Sequence, residues 1–163
     1  SADEIEEVLR EYLGVVKVIW LNAGIVGDDT DGHVDDIARF VSPSTVVCAY
    51  EEDTADANYS ALQENYQILQ QSTDQDNTPL RVVKLPMPAK VCRDDERYPA
   101  SYTNFYIGNT VVIVPVFSDP NDNVALEIIR SLFPDRNVIG INAREMVEGF
   151  GTFHCGTQQQ PRI

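Results

Sequence analysis

The sequence repeats one pattern of predicted secondary structure, and this repeat constrains the fold more than any other feature. Each copy starts with a hairpin of two short apolar strands, continues with an amphipathic helix and ends with another strand. The predicted elements of the two copies are, in order, 37–41, 45–50, 59–71 and 80–88, and then 104–117, 123–133 and 137–143.

A constant offset of 65 residues relates the two copies in the sequence. Phe40 corresponds to Phe105, and the run Thr45-Val46-Val47 corresponds to Thr110-Val111-Val112. Both hairpins contain turn-forming residues between their strands. The matching order of hairpin, helix and strand predicts a ββαβ unit that occurs twice.

Incomplete units flank the two copies. A helix predicted at 3–13 and a strand predicted at 15–21 form the end of a preceding unit, and the residues after 143 begin another. Such repeats stack or close around an axis, because each buries its apolar face against its neighbours. We therefore predict an α/β fold in a single domain, residues 1–163, that looks cut from a longer chain. An ordinary α/β sandwich is the alternative.

The charge of the chain restricts its partners. The formal net charge is −14, and phosphate binding requires clustered Lys and Arg, so we expect no nucleic-acid partner. A cationic ligand is favoured electrostatically, although solubility alone also accounts for an acidic composition. We expect no membrane partner either, because no run is long and apolar enough to span a bilayer.

The cysteines and histidines lack the spacing of a zinc site. Three widely spaced cysteines imply no disulfide framework, which favours a reducing, cytoplasmic location. A calcium loop starting at Gly27 also fails, because its bidentate glutamate position falls on Ala38. We expect no metal and no cofactor.

Cys155 and His33 are the candidates for chemistry. Cys155 lies in the Gly-rich stretch GTFHCGTQQQ, and its sequence alone leaves open whether it is a core thiol or a nucleophile. His33 lies in the acidic stretch GDDTDGHVDD, whose carboxylates would favour an imidazolium. In an extended segment His33 and Asp35 would face the same side, and His154 would point away from its neighbour Cys155. Cys48 looks like a core thiol, and Cys92 lies in a charged segment.

Five motifs together resemble the agmatine deiminases and, more distantly, the bacterial-type peptidylarginine deiminases of the same superfamily. The motifs are GIVGDDTDGHVDDIARFV, PASYTNFYIGN, VPVFSDP, FPDRNVIGINAREMV and FHCGTQQQP. The resemblance implies the pentein fold, an α/β propeller of five ββαβ units around a central active site. It covers the whole chain but only the C-terminal half of the family's length, which implies an incomplete ring.

The resemblance also implies a chemistry and its residues. Cys155 matches the nucleophile, His33 the general acid/base and Asp35 the carboxylate that grips the guanidinium, while Asp29 matches an acidic position near the substrate. The implied reaction converts agmatine into N-carbamoylputrescine and ammonia through an amidino-cysteine, as in putrescine biosynthesis. Phe150 departs from the family's usual run of glycines before the cysteine.

Two other functions stay open at this point. A peptidylarginine deiminase would use the same residues in an open groove. An inactive half-ring would act as a binding module, and its open propeller edges would favour a homo-oligomer that covers them.

Overall fold

A computed structural model describes residues 1–29 and 32–160. Asp31, part of the acidic stretch around His33, and Pro161, the last residue of the FHCGTQQQP motif, lie outside the described residues. In chain order the elements are α1 (Ala2–Leu13), a 3-10 turn (Val34–Asp36), β1 (Ala38–Ser42), β2 (Thr45–Tyr50), α2 (Tyr59–Gln70), β3 (Arg81–Pro86), β4 (Cys92–Arg93), β5 (Glu96–Arg97), β6 (Tyr106–Ile107), β7 (Val111–Val116), α3 (Asn121–Leu132), β8 (Asn137–Asn142) and a second 3-10 turn (Met146–Gly149).

The two predicted ββαβ units are confirmed. Each forms a three-stranded sheet in which an antiparallel hairpin is extended by a parallel strand that returns after a helix. The sheet orders are β1-β2-β3 and β6-β7-β8. Two consecutive strands can pair in parallel only when a crossover connection, here a helix, brings the chain back to the same end of the sheet. The small hairpin β4–β5 joins the two units and was not predicted.

Helix α1 is confirmed and is well capped, yet it buries none of its side chains. The Ser1 side chain accepts from the backbone N–H of Glu4, whose side chain in turn caps the Ser1 backbone nitrogen, forming a capping box. Gly14 ends the helix in the left-handed conformation, with φ of 68°. Its apolar residues therefore face outward rather than into a core.

The predicted strand at 15–21 is wrong, because this segment pairs with no strand among the described residues. The β-branched composition of Val15, Val16, Val18 and Ile19 suits a strand, but a strand also needs a neighbouring backbone to receive its hydrogen bonds. Composition alone cannot supply that neighbour.

The offset of 65 residues is also corrected. The parallel pairings begin at Thr45 in the first unit and at Val111 in the second, so these strands are 66 residues apart. Phe40 is 51% exposed whereas Phe105 is fully buried, so the two phenylalanines are not equivalent. The β1 strand also has a register shift between Phe40 and Ser42, typical of a bulge, so no single offset relates the two hairpins.

Two apolar clusters form the core: one lies within the first unit, and the other combines the second unit with Val47 and Leu85 of the first. Cys48 is fully buried in the first cluster, as predicted for a core thiol. All residues from Tyr98 to Phe105 are buried, so this irregular segment before β6 lies in the protein interior. Among the described residues, no helix combines the length and apolar character needed to cross a bilayer.

Candidate active site

Cys155 lies in a tight turn after the second 3-10 turn. The Gly156 backbone nitrogen donates to the Thr152 carbonyl at 3.0 Å, which curls the chain around the thiol. Gly151 packs directly against Cys155, and a Cβ at Gly151 would lie 2.7 Å from Cys155 Sγ. Cys155 is therefore exposed in this turn, and only glycine fits at position 151 beside it.

Phe150 adopts a left-handed conformation, with φ of 62° and ψ of 26°. Such a conformation favours glycine, the residue that the family usually has before the cysteine. The Phe150 ring meets Tyr98 edge-on, with 5.9 Å between centroids, and packs against the apolar cluster of the second unit. Its bulk is thus accommodated by the core.

Asp35, which is 120 positions before Cys155 in the sequence, contacts its thiol. Its position is set by the 3-10 turn Val34–Asp36 that precedes β1. Asp35 Oδ2 lies 3.2 Å from Cys155 Sγ, 2.6 Å from His154 Nδ1 and 3.1 Å from Asn104 Nδ2. One carboxylate oxygen therefore gathers a thiol, an imidazole and an amide.

Asn104 is the most densely bonded side chain at this site. Its Nδ2 lies 3.0 Å from Cys155 Sγ and 2.9 Å from Asp36 Oδ1. Its Oδ1 accepts from the backbone nitrogens of Thr152, His154 and Cys155 at 3.1–3.3 Å. Asn104 is fully buried, and its hydrogen bonds connect the turn that holds Cys155 to the carboxylates of Asp35 and Asp36.

Asp36 is a buried carboxyl group, only 1% exposed. Its Oδ1 accepts from Asn104, while its Oδ2 has no hydrogen-bond partner within residues 1–29 and 32–160. Burial raises the pKa of Asp36 to about 8, helped by the charges of Asp35 and Asp28. At neutral pH this group is therefore mostly a neutral carboxylic acid.

Asp35 and Cys155 have opposite pKa shifts. Although burial opposes its ionisation, hydrogen bonds from His154 and Cys155 lower the pKa of Asp35 below its usual value. Burial, together with the neighbouring carboxylates Asp35 and Asp36, raises the pKa of Cys155 to about 11, although Asn104 opposes this. At neutral pH the site therefore combines an ionised carboxylate with a protonated thiol.

His33 is exposed and contacts the acidic loop that precedes it. Its Nδ1 lies 3.4 Å from Asp28 Oδ1, and its backbone nitrogen donates to Asp28 Oδ2. Only 2% of the Asp28 side chain is exposed. Asp29, predicted near the substrate, is exposed in the adjoining bend.

Asp36 links these two parts of the site. Asp28, His33 and Asp36 offer donor atoms within 4.8 Å of one another, and so do Asp35, Asp36 and Cys155. The geometry could hold a small cation, but the donor set of carboxylates beside a thiol equally suits a planar organic cation with several N–H groups. We assign no metal to it.

Two expectations about orientation fail. His154 does not point away from Cys155: residues 153–156 form a turn rather than an extended segment, and both side chains reach Asp35. Likewise, residues 34–36 form a 3-10 turn, so alternation along a strand cannot align His33 with Asp35. Instead, Asp35 contacts His154, and His33 contacts Asp28.

Comparison with known proteins places the chain in a family. Residues 1–161 match the family described as Porphyromonas-type peptidyl-arginine deiminase. The chain belongs to this family. It is 41% identical over 99% of its length to a Latilactobacillus sakei protein provisionally named as an agmatine deiminase. The chain spans about half the length of this deiminase, 49%.

Solved structures of related deiminases have the same fold. The agmatine deiminase of Enterococcus faecalis superposes with a TM-score of 0.95 at 41% identity, covering 99% of this chain and 49% of that one. A cysteine-to-serine variant of the C. jejuni agmatine deiminase with substrate bound gives 0.85 at 31% identity, covering 93% and 44%. The predicted α/β class, as part of a pentein ring, is confirmed.

Sequence reasoning missed Asn104, Asp36 and the contact of His154. Asn104 was assigned only to the hairpin and to the motif PASYTNFYIGN. A polar residue at the head of an apolar strand is a usable signal, because a buried amide must satisfy both its ends.

Proposed function

We propose that this chain belongs to an enzyme that hydrolyses the guanidinium group of agmatine to N-carbamoylputrescine and ammonia. The observation that carries the proposal is the contact of Cys155 Sγ with the ionised carboxylate of Asp35, at 3.2 Å. The homology to agmatine deiminases, one of them with substrate bound, supports it. Catalytic roles for Cys155, His33 and Asp35, and a substrate-binding role for Asp29, are part of the proposal.

Recognition of the substrate follows from charge and shape. A guanidinium is a planar cation whose N–H groups pair with carboxylates in two parallel hydrogen bonds. Asp35 supplies such a carboxylate beside the thiol, and Asp29 would attract the second positive charge of agmatine at the exposed rim. The net charge of −14 favours approach of a dication.

Binding of the cation would also activate the nucleophile. Burial, together with the carboxylates Asp35 and Asp36, raises the pKa of Cys155 to about 11, so the resting thiol is a poor nucleophile at neutral pH. A guanidinium paired with Asp35 offsets that negative field and withdraws Asp35 from the thiol. The S–H proton can then leave, which makes the thiolate available only when substrate is bound.

The covalent steps balance as follows. The Cys155 thiolate attacks the central guanidinium carbon, and a C–N bond breaks while His33 protonates the leaving nitrogen, which departs as ammonia. The resulting amidino-cysteine is attacked by water, whose proton passes to His33. The C–S bond then breaks as the hydroxyl oxygen of this intermediate forms the C=O bond and loses its proton to solvent, which releases N-carbamoylputrescine and regenerates the thiolate.

We assign proton transfer to His33 and orientation to His154. His154 Nδ1 is engaged with Asp35 at 2.6 Å, and its backbone nitrogen is bound to Asn104, so it acts by fixing the carboxylate. His33 is exposed, with 46% of its side chain accessible to solvent, so it can exchange protons with water and with a bound substrate. His33→Asn should therefore lower kcat roughly 10²–10⁴-fold, the usual contribution of a general acid or base.

The matched variant for this prediction is His154→Asn. It should reduce kcat less and should keep the shape of the pH–rate profile, whereas His33→Asn should remove one limb of that profile. A greater loss of kcat in His154→Asn, with loss of a limb, would reverse the two assignments.

A peptidyl-arginine deiminase is the second candidate, favoured by the description of the matching family. Both candidates release ammonia, so the test compares agmatine with an arginine-containing peptide under the same conditions. Faster ammonia release from agmatine supports the first candidate, and preference for the peptide supports the second. Absence of ammonia from both, in a folded sample, would contradict an active enzyme and favour a binding module.

Self-association is the remaining part of the proposal. The outer face of α1 exposes Ile5, Val8, Tyr12 and Leu13 by 50–77%, and β1 leaves a backbone edge beside an open cleft of about 700 Å³. An exposed apolar face of this kind favours contact with another protein surface. We therefore expect homo-oligomers that cover this face.

Sedimentation equilibrium checks this prediction. Val8→Glu should shift the chain toward monomer, because it places a charge in the apolar face. Val124→Glu, at an equally exposed apolar position on α3, is the control and should leave the distribution unchanged. A monomer at all concentrations in the starting chain would contradict self-association.

A further inference from the structure

The Asn104 amide can adopt only one orientation. Three backbone N–H groups, from residues 152, 154 and 155, point at one end of the amide, and N–H groups can only donate. The end that they meet must be the oxygen. The other end, Nδ2, therefore faces Asp35, Asp36 and Cys155, which are acceptors.

The surroundings hold this side chain in place. Asn104 lies between the fully buried Tyr102 and Phe105. Tyr102 is anchored by a hydrogen bond from its hydroxyl to Asp122 at 2.7 Å, and Arg39 donates to the Phe105 carbonyl at 2.9 Å. The chain on both sides of Asn104 is thus anchored, which helps to preorganise the amide as a group that supports a reacting atom.

The Nδ2 atom of Asn104 has fewer hydrogens than it has neighbouring acceptor atoms. Two hydrogens serve three acceptors at 2.9–3.1 Å: Asp35 Oδ2, Asp36 Oδ1 and Cys155 Sγ. In the resting site the thiol proton supplies the missing donor, toward Asp35. Once that proton has left, the sulfur still accepts the N–H of Asn104, with or without a cation on Asp35.

We propose that Asn104 positions Cys155 and stabilises its thiolate by donating a side-chain N–H to the sulfur. The inference rests on the proposed function, in which that sulfur is the nucleophile. Asn104 neither gains nor loses a proton: it fixes the turn through its oxygen and solvates the negative sulfur through its nitrogen. One buried side chain thus bonds both to the backbone N–H of Cys155 and to its sulfur.

Alkylation of Cys155 by iodoacetamide tests the proposal without substrate. In Asn104→Ala the rate constant at pH 8 should fall about ten-fold or more, since a hydrogen bond to a charged group is lost. A role in packing alone predicts the opposite sign, because a loosened turn exposes the thiol. Peptide mass analysis separates Cys155 from Cys48 and Cys92. An unchanged or faster rate in a folded Asn104→Ala chain would overturn the proposal.

Asn65→Ala is the matched control. Asn65 is equally buried, and its side chain also bonds to a loop, accepting from Asn22 at 2.7 Å and donating to the Ala23 carbonyl at 2.9 Å. It lies on α2 and bonds to residues 22 and 23 rather than to the thiol. Its loss should lower stability and leave the alkylation rate of Cys155 within about two-fold, since sites that share no bonding partners act nearly independently.

A second measurement needs no substitution at Asn104. The side-chain amide proton signals of Asn104 in the ¹⁵N-labelled chain should move as Cys155 ionises at high pH, and this movement should be absent in Cys155→Ser. Signals that do not respond to the thiol would overturn the proposal even if Asn104→Ala failed to fold. Neither measurement uses agmatine, so loss of the proposed function and loss of this inference are distinguishable.

Discussion

Cys155→Ala should reduce the release of ammonia from agmatine to the level of the uncatalysed reaction. Removal of an enzyme's nucleophile lowers kcat by a factor on the order of 10⁴ or more, because the remaining groups cannot replace the covalent path. The fold should survive, since Cys155 is exposed and sits in a turn held by backbone hydrogen bonds. The measurement is ammonia release by the 163-residue chain, alongside its thermal unfolding curve.

Cys92→Ser is the matched control for this prediction. Cys92 is also an exposed thiol, but it lies in the short strand β4, away from the carboxylate cluster. Its replacement should leave ammonia release unchanged. An intact protein treated with agmatine and quenched in acid should also carry, on Cys155 alone, the mass of agmatine less ammonia. Equal activity of Cys155→Ala and the starting chain would contradict a covalent mechanism.

The parts of the fold that depend on local pattern were predictable from the sequence. Helix α2 and the strands of both sheets follow from apolar periodicity and turn residues, which act over a few positions. The segment 15–21 has the composition of a strand, but its state depends on a distant backbone that the sequence does not identify. The bulge in β1 is similarly invisible, because it inserts a residue without changing the apolar pattern.

The candidate site divides in the same way. Cys155, His33 and Asp35 could be named from their motifs, because each belongs to a distinctive stretch of sequence. The orientation of His154 could not, since it depends on whether residues 153–156 turn or extend. Asn104 gains its role from contacts with residues about 50 and 70 positions away, which no local pattern describes.

The clustering of carboxylates around one thiol has an energetic cost that the fold must offset. Asp35 is kept ionised by hydrogen bonds, whereas its neighbour Asp36 is kept neutral by burial and by the charges around it. Two adjacent acids thus take different protonation states at one pH, as expected when like charges share a buried site. This arrangement makes the stability of the chain depend on pH.

The free energy of unfolding should fall as the pH rises from 5 to 9. The folded-state pKa of Asp36 is about 8, above its unfolded value, so the folded chain retains a proton that the unfolded chain has released. Stability is therefore greatest below the unfolded pKa and declines as the pH rises through the folded one. The loss is on the order of 3–5 kcal/mol, at 1.36 kcal/mol for each pKa unit. Urea unfolding at several pH values measures it.

Asp36→Asn separates this effect from other ionisations, because its neutral amide cannot ionise. The variant should show a nearly flat free energy of unfolding over the same pH range and should exceed the starting chain at pH 9. Asp56→Asn is the control: the Asp56 side chain is only 7% exposed, but it pairs with Arg97 at 2.9 Å and its pKa is lowered, so its stabilisation is lost only in acid. That variant should be less stable throughout and keep the slope. The same slope in Asp36→Asn would assign the pH dependence to another group.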